Sequence, residues 1–460
     1  MTDRRSTLRL VDQISSGHTT ETEGLLVAPA EEAMIRASLT IIHHPSWDLV
    51  GLHAPVQNRG SLLGRSPRSC LPGVFDVPKV SRDHAEVRIE RGAVVVVDLD
   101  SRNGTKVNGE PIERKVLAPG DVVELGGILM MLTLGPASYP EPHHPRILGH
   151  SWALAQLLAD LERAAKSEHA VTLVGETGTG KELAAEAIHE QSQRAGGPMV
   201  AINCSALSEG LIESELFGHE QGAFTGAGGA RDGLVAHAEG GTLFLDEVTS
   251  TPPRLQAVML RLLENGTYRP VGGNQQRRAD VRVIAAAQPD ILDSIDAGSF
   301  RSDLWFRLSR RVVELPSLAD RREDIPTLAR HFARAVRPDA ELAPALSRAL
   351  AAADWPGNVR QLRNVAERIA EASDSPLLSD LGAVPAVTSS APPPPRLRQR
   401  RSPRERPSRA TLIEALRTED GRVAAAARRL GVGRKTLYRW LEGYGIDPDE
   451  LRQPESDVPT

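Results

Sequence analysis

The stretch 171-VTLVGETGTGKELAAEAIHE-190 decides how this chain is read. A short apolar run, a glycine-punctuated loop and an alanine-rich amphipathic run follow one another, which predicts strand, turn and helix. The loop Gly175-Glu176-Thr177-Gly178-Thr179-Gly180-Lys181 fits the spacing GxxxxGK. Glycines let backbone N–H groups turn toward phosphate oxygens, and the next helix presents its N-terminus to the anion. Lys181 would reach the β- and γ-phosphates. Glu182 stands where the general motif has Ser or Thr, so a hydroxyl ligand for magnesium is missing by that pattern. The alternative is a chance match in a glycine-rich turn.

Working outward, 239-EGGTLFLDEV-248 reads as a buried strand that delivers Asp246 and Glu247 to a sheet edge. Asp246 could hold Mg²⁺ through water, and Glu247 could orient or deprotonate an attacking water. With the glycine loop, this pair makes ATP hydrolysis the leading expectation. Helical text such as 151-SWALAQLLADLERAAK-166 alternates with strands from residue 147 onward, which predicts a parallel α/β sheet. The text from about 325 to 381 is mostly helical and predicts a lid, so the α/β domain with its lid is set at 147–384.

The 460 residues suffice for about three domains. A hydrophobic fraction of 40% and a charged fraction of 25% are ordinary for a soluble globular chain. Cys70 and Cys204 are the sole cysteines, far apart and without CxxC spacing. They suggest neither a disulfide framework nor a zinc site, and read as small buried or neutral positions. The N-terminal text lacks a signal-peptide apolar region and no stretch of about 18 apolar residues occurs, so a cytoplasmic, membrane-free setting is expected. Net charge is −5, but the basic excess gathers near the C-terminus and hints at an anionic partner there.

These residues closely resemble the bacterial enhancer-binding proteins that activate sigma-54 RNA polymerase, across about 147 to 381. GETGTGKE at 175–182 is that family's phosphate loop, Glu182 included. The run 213-ESELFGHEQGAFTGA-227 contains GAFTGA, residues Gly222, Ala223, Phe224, Thr225, Gly226 and Ala227, which the family uses as a surface loop contacting the sigma factor. An exposed aromatic between small residues suits a partner anchor. The resemblance implies further roles. Asn203 matches the asparagine that toggles the catalytic glutamate, here Glu247. Arg301 and Arg307, in 300-FRSDLWFRL-308, match arginines projecting into a neighbouring subunit's site, where a planar guanidinium suits γ-phosphate charge. Arg360, in 355-WPGNVRQLRN-364, matches the sensor arginine of the lid. Shared sites imply a homo-oligomeric ring, a hexamer by family analogy. One departure is 284-IAAAQ-288, where Ala287 and Gln288 replace the family's usual Thr-Asn pair. Gln288 keeps the amide with one more methylene, and a slower ATPase is expected.

Residues 38–134 change character. Short β-rich runs such as 86-EVRIERGAVVVVDL-99 and 121-DVVELGGILMMLTL-134 lie between Gly, Pro and Asn turns, which predicts an all-β sandwich. The fragments 63-LGR-65, 81-SRDHAEV-87 and 101-SRNGTKVNG-109 resemble the FHA domain, a phosphothreonine reader. The resemblance implies that Arg65, Ser81 and Arg82 hold phosphate and that Asn103 holds the peptide backbone. His84 reads as a neutral loop brace, and Asn108 as a loop support. A sandwich with a dead pocket is the alternative. No aspartyl-phosphate receiver pattern precedes the ATPase, so the expected partner is a phosphothreonine protein or a Ser/Thr kinase.

Residues 408–452 resemble the Fis-type helix-turn-helix, with a second helix from Val423 to Leu430 and a recognition helix from Arg434 to Leu441. Arg434, Lys435, Thr436 and Arg439 are the expected contacts to enhancer-like upstream DNA, while Leu437 and Trp440 pack inward. A small helical dimerisation unit is the alternative. Around these domains lie an extension at 1–37, linkers at 135–146 and 385–407, and a tail at 453–460. In 389-SSAPPPPRLRQRRSPRERPSR-409, seven arginines and four consecutive prolines read as an extended spacer, or as extra phosphate contacts beside the DNA module. The pairs His43-His44 and His143-His144 are expected at the surface. The whole reads as a sigma-54 activator; a phosphorylation-dependent scaffold on DNA, or an AAA+ remodeller unrelated to sigma factors, would be the competing functions.

Overall fold

The computed structural model describes residues 36–385 apart from 137, 206–208, 225–226 and 228, and then 409–419, 423–430, 437, 440, 441 and 446. The calls on residues 1–35, on most of the Pro/Arg linker and on the recognition helix other than Leu437, Trp440 and Leu441 lie outside the described residues.

The N-terminal half of the fold is the expected antiparallel sandwich. One sheet runs His53–Pro55, Arg36–His43, Ile128–Gly135, Val122–Leu125, Thr105–Val107, Glu110–Ile112; the other runs Ser61–Leu63, Ala85–Glu90, Ala93–Asp98, Arg114–Leu117. Residues at every second position, such as Leu39, Ile41, Val87, Val96, Ile128, Met130 and Leu132, fill the space between the sheets. The first strand begins at Arg36, two residues ahead of the boundary expected at Ser38.

The α/β domain carries a five-stranded parallel sheet in the order Met199–Asn203, Thr242–Asp246, Arg282–Ala287, Val171–Val174, Arg311–Glu314. Its central strand Arg282–Ala287 is wholly buried, as a strand covered by helices on both faces must be. Arg282 is 2% exposed; its guanidinium donates to Ala164 O at 2.6 Å and closes the C-terminal end of the helix Trp152–Ala165. The other end of that helix is set by Asp324. This fully buried carboxylate accepts from Ser151 N at 2.9 Å, from His150 N at 2.7 Å and from Ser151 Oγ at 2.7 Å, and Ser151 caps Leu154.

The lid follows as the helices Ile325–Val336, Pro344–Ala352 and Asn358–Ala372, sharing one apolar core that includes Leu318, Leu346, Leu350, Trp355 and Leu362. Among the described C-terminal residues, helices Arg409–Thr418 and Val423–Arg429 pack with Leu437 and Trp440 inward, as expected for those two side chains. No described helix is long and apolar enough to cross a membrane.

One expectation is corrected here. His43 and His44 are not surface residues: both are 4% exposed. His43 ends the first strand and its Nδ1 meets Ser347 Oγ of the lid at 2.9 Å, while His44 Nε2 meets Val74 O at 2.9 Å. Burial drops the His43 pKa to about 4, so the ring is neutral. His143 is exposed as expected. The stretch 135–146 is more than a spacer: Tyr139 stacks on His53 at 4.7 Å and its hydroxyl donates to His150 O at 3.0 Å. The cysteines match their reading, since burial pushes both thiols up to about 11.

Candidate functional site

The glycine loop sits between the strand Val171–Val174 and the helix Lys181–Glu190, with Gly180 at φ +100° as the residue before the helix. Gly178, at φ +79°, allows a close approach: a Cβ there would stand 2.3 Å from Gly357 O of the lid. Lys181 starts the helix and points back over the loop, its Nζ donating to Gly175 O at 2.7 Å and Glu176 O at 3.0 Å. Burial pushes its pKa below the ordinary lysine range, while Asp246 and Glu247 pull in the opposite direction. Both acids are thus close enough to act on the lysine electrostatically.

Asp246 ends the strand Thr242–Asp246, and Glu247 turns away from it at φ +52°. That left-handed conformation costs a non-glycine residue free energy, a strain found at functional turns. Asn203 lies in register with Asp246 on the neighbouring strand, and its Nδ2 donates to Asp246 Oδ2 at 3.3 Å. Its Oδ1 accepts from Ser205 N at 2.8 Å and Ser205 Oγ at 2.7 Å. The amide thus engages Asp246, the acid adjoining Glu247. Gln288, just past the central strand, donates from Nε2 to Thr177 Oγ1 at 3.0 Å. Its extra methylene still lets the amide reach the phosphate loop.

The lid closes the other side. Arg360 lies against the loop, its Cβ 3.1 Å from the Cβ position of Gly178. Two residues earlier stands Asn358, which sequence reasoning missed. It is 1% exposed with φ +50°. Its Nδ2 donates to Glu176 Oε2 at 3.0 Å and Thr177 O at 3.1 Å, and its Oδ1 accepts from Leu318 N at 2.7 Å. Val359 N then donates to Gly178 O at 3.0 Å. A cavity beside Thr179 and Gly180 is lined by Leu148, Leu315, Leu328, Phe332 and Val359, with Arg146, Arg321 and His331 among its polar residues. Its lining comes from stretches scattered between Arg146 and Val359, so no contiguous motif announces it.

The donor set suits a nucleotide triphosphate with magnesium. A lysine ammonium lies over the glycine loop, and two carboxylates lie near enough to act on its charge. Arg301 and Arg307 are elsewhere in their own chain. Arg301 pairs with Asp303 at 2.7 Å, and Arg307 pairs with Glu264 at 3.0 Å. Arg307 lines a hollow with His169 and Ala170, at the end of the strand Val171–Val174 remote from the phosphate loop. Of the GAFTGA segment's described residues, Gly222 N donates to Ala227 O at 3.0 Å and Ala227 N to Phe224 O at 3.0 Å. Phe224 is 40% exposed. Thr225 and Gly226 lie outside the described residues.

In the sandwich, the three fragments converge. Arg65 N donates to Ser81 O at 3.1 Å and Arg65 Nε to Val80 O at 2.7 Å. Ser81 Oγ accepts from Arg102 N at 3.1 Å, and Asn103 Nδ2 donates to Lys79 O at 2.7 Å. Arg65, Arg82 and Asn103 are exposed, and Lys79 and Arg102 add positive charge that sequence reasoning did not single out. His84 is fully buried and braces the loops, accepting from Ser81 N at 3.0 Å and meeting Gly104 O at 3.2 Å; burial lowers its pKa, in line with a neutral ring. Asn108 supports its turn by accepting from Val122 N at 2.8 Å. The proposed DNA contacts Arg434, Lys435, Thr436 and Arg439 lie outside the described residues.

Comparison with known proteins matches four family models in order along the chain: FHA domain over 62–126, Sigma-54 interaction domain over 147–314, AAA+ ATPase lid domain over 319–391, and bacterial regulatory protein, Fis family, over 405–444. Among similar proteins, the regulatory protein AtoC of Escherichia coli K12 is 39% identical over 317 residues, covering 66% of this chain and 69% of AtoC. The C4-dicarboxylate transport transcriptional regulatory protein DctD of Rhizobium meliloti is 43% identical over 306 residues, covering 65% of each. NtrX from Brucella abortus, crystallised with ATP, is 34% identical with a TM-score of 0.49, covering 66% of this chain and 70% of NtrX.

Proposed function

This chain belongs to the sigma-54-dependent transcriptional regulators, and from that premise we propose that it is an ATP-driven activator of sigma-54 RNA polymerase whose input is a phosphothreonine read by its FHA domain. The AAA+ ATPase domain with its lid and the Fis-type module are the family's motor and DNA anchor. The observation that carries the reading is the meeting of Lys181, Asp246, Glu247, Asn203, Gln288 and the lid's Asn358 and Arg360 around one phosphate loop.

In this reading the backbone of Gly175–Gly180 cradles the phosphates, with Lys181 turning from the loop carbonyls to the β- and γ-oxygens. Asp246 would hold magnesium, which when bound would offset charge on those oxygens. Glu247 orients a water for in-line attack on the γ-phosphorus. The new O–P bond forms as the bond to the β-phosphate oxygen breaks, giving ADP and phosphate. Asn203 positions this acid pair. Arg301 and Arg307 complete a neighbouring subunit's site, which requires a homo-oligomeric ring. Hydrolysis moves the Gly222–Ala227 segment against the sigma factor, while Arg434, Lys435, Thr436 and Arg439 hold upstream DNA. Arg65, Ser81, Arg82 and Asn103 take the phosphothreonine.

The test is ATP hydrolysis by the full chain with Mg²⁺, across protein concentration. Cooperative growth of specific activity is expected, and Phe224→Ala should spare hydrolysis yet abolish activation. No turnover with nucleotide still bound would leave a scaffold on DNA instead.

A further inference from the structure

A one-sided antiparallel sheet alternates buried and exposed residues. The strand Ile128–Gly135 does not: Ile128, Leu129, Met130, Met131 and Leu132 are all 2% exposed or less. Ile128, Met130 and Leu132 fill the sandwich core. Leu129 and Met131 point the other way, and with Ile42 and Val122 they cluster on Ala351 of the lid helix Pro344–Ala352. The outer face of the sandwich is therefore buried against the lid.

Polar contacts ring this apolar patch. His43 Nδ1 meets Ser347 Oγ at 2.9 Å with both residues buried. Arg348 donates to Glu124 Oε2 of the sandwich at 2.6 Å, its guanidinium lying over Gly109. Arg330 stacks over Trp47 at 4.5 Å, and Trp47 packs against the lid core. An apolar centre with a polar rim is the anatomy of a specific interface rather than a passing touch.

The docked helix is short in sequence from the nucleotide. Five residues separate Ala352 from Asn358, and both helices share one core. Asn358 and Arg360 stand on the phosphate loop. We infer that the outer sheet of the FHA domain is a regulatory surface that restrains the lid and thereby sets the geometry of the phosphate loop. Lids must move during turnover, and a buried contact on the lid's outer face opposes that motion. Undocking accelerates hydrolysis. The inference rests on the ATPase and not on phosphothreonine binding, so it stands or falls by itself.

The test uses the full chain and a charge swap. Glu124→Arg changes only the FHA domain, and Arg348→Glu only the lid's outer face. Each single variant should raise ATP turnover by about 3- to 10-fold, the size of coupling carried by such networks. The combination Glu124→Arg with Arg348→Glu should return the rate to within about twofold of the parent, because it restores the pair. Hydrogen exchange of Ile128–Gly135 should speed up in the single variants and slow again in the double one. If a charge reversal fails to fold, Ser347→Ala, which removes only the hydroxyl facing His43, should likewise raise turnover. Unchanged or lowered turnover in well-folded single variants, or no recovery in the double one, overturns the inference.

Discussion

The molecule carries two candidate phosphate sites, built on opposite plans. The loop Gly175–Lys181 is a backbone device: glycines, a helix start and one lysine lying over its own loop carbonyls. The FHA loops are a side-chain device, with exposed Arg65 and Arg82 beside Ser81 and Asn103, and a buried His84 fixing the loops behind them. A backbone cradle must be contiguous, so it is written as one unbroken motif. A side-chain cradle can be gathered from distant loops, here from residues 65 to 103, and is written in fragments. The first plan works through backbone conformation, the second through side-chain charge.

Breaking each plan separately should sharpen that contrast. The largest effect belongs to Glu247→Gln, which should cut hydrolysis by about 10²- to 10⁴-fold while leaving ATP binding in place; equal loss of nucleotide binding would show that Glu247 shapes the loop instead. Arg65→Ala should weaken a phosphothreonine peptide by about 10- to 100-fold, since charge-assisted bonds contribute about 1.5–3 kcal/mol each. Isothermal titration with phosphorylated and unphosphorylated peptides decides this, and equal affinity for both would refute a phosphate role.

Asn358→Ala removes the amide that ties lid to loop and strands three partners. It should raise the KM for ATP by about 5- to 100-fold, the cost of 1–3 kcal/mol for partners left unsatisfied. Asn358→Gly keeps the positive φ without the amide and should behave the same way. A benign glycine variant would mean that only the backbone bend matters. The smallest effect is expected from Gln288→Asn. Turnover should rise, but by far less than the roughly 100-fold that a 1 Å misplacement can cost, because the longer amide already reaches Thr177. An unchanged rate would remove Gln288 from any account of slow hydrolysis.

Much of this was legible beforehand, and for physical reasons. The strand–loop–helix order around Gly175–Lys181 and the acids ending Thr242–Asp246 are local arrangements, so the sequence carries them directly. The sandwich was legible from its turns, and the buried, neutral His84 from its fragment. What escaped were facts made by distant pairing. Asn358 sits 180 residues from the loop it clamps, and its amide reads on paper as one polar residue at a helix start. The cavity beside Thr179 draws on Leu148, Leu315 and Val359 at once. His43 looks like a loop residue until the lid supplies Ser347, and His44 until the sandwich supplies Val74 O. One hint was present: 128-ILMML-132 is apolar at every position, too much for a sheet with one wet face.

That two-faced strand bears on how such proteins diversify. A sensor joined to its motor by a supple tether can be exchanged like a cassette. Here, excising the FHA domain would bare Ile42, Leu129 and Met131 to water, and deleting it would bare Ala351 beside Ser347. Any replacement sensor must bring a matching greasy face of its own. Fusions that transplant only the phosphate-reading loops onto this sandwich should be tolerated, whereas swaps of the whole module would leave two sticky halves, each prone to self-association.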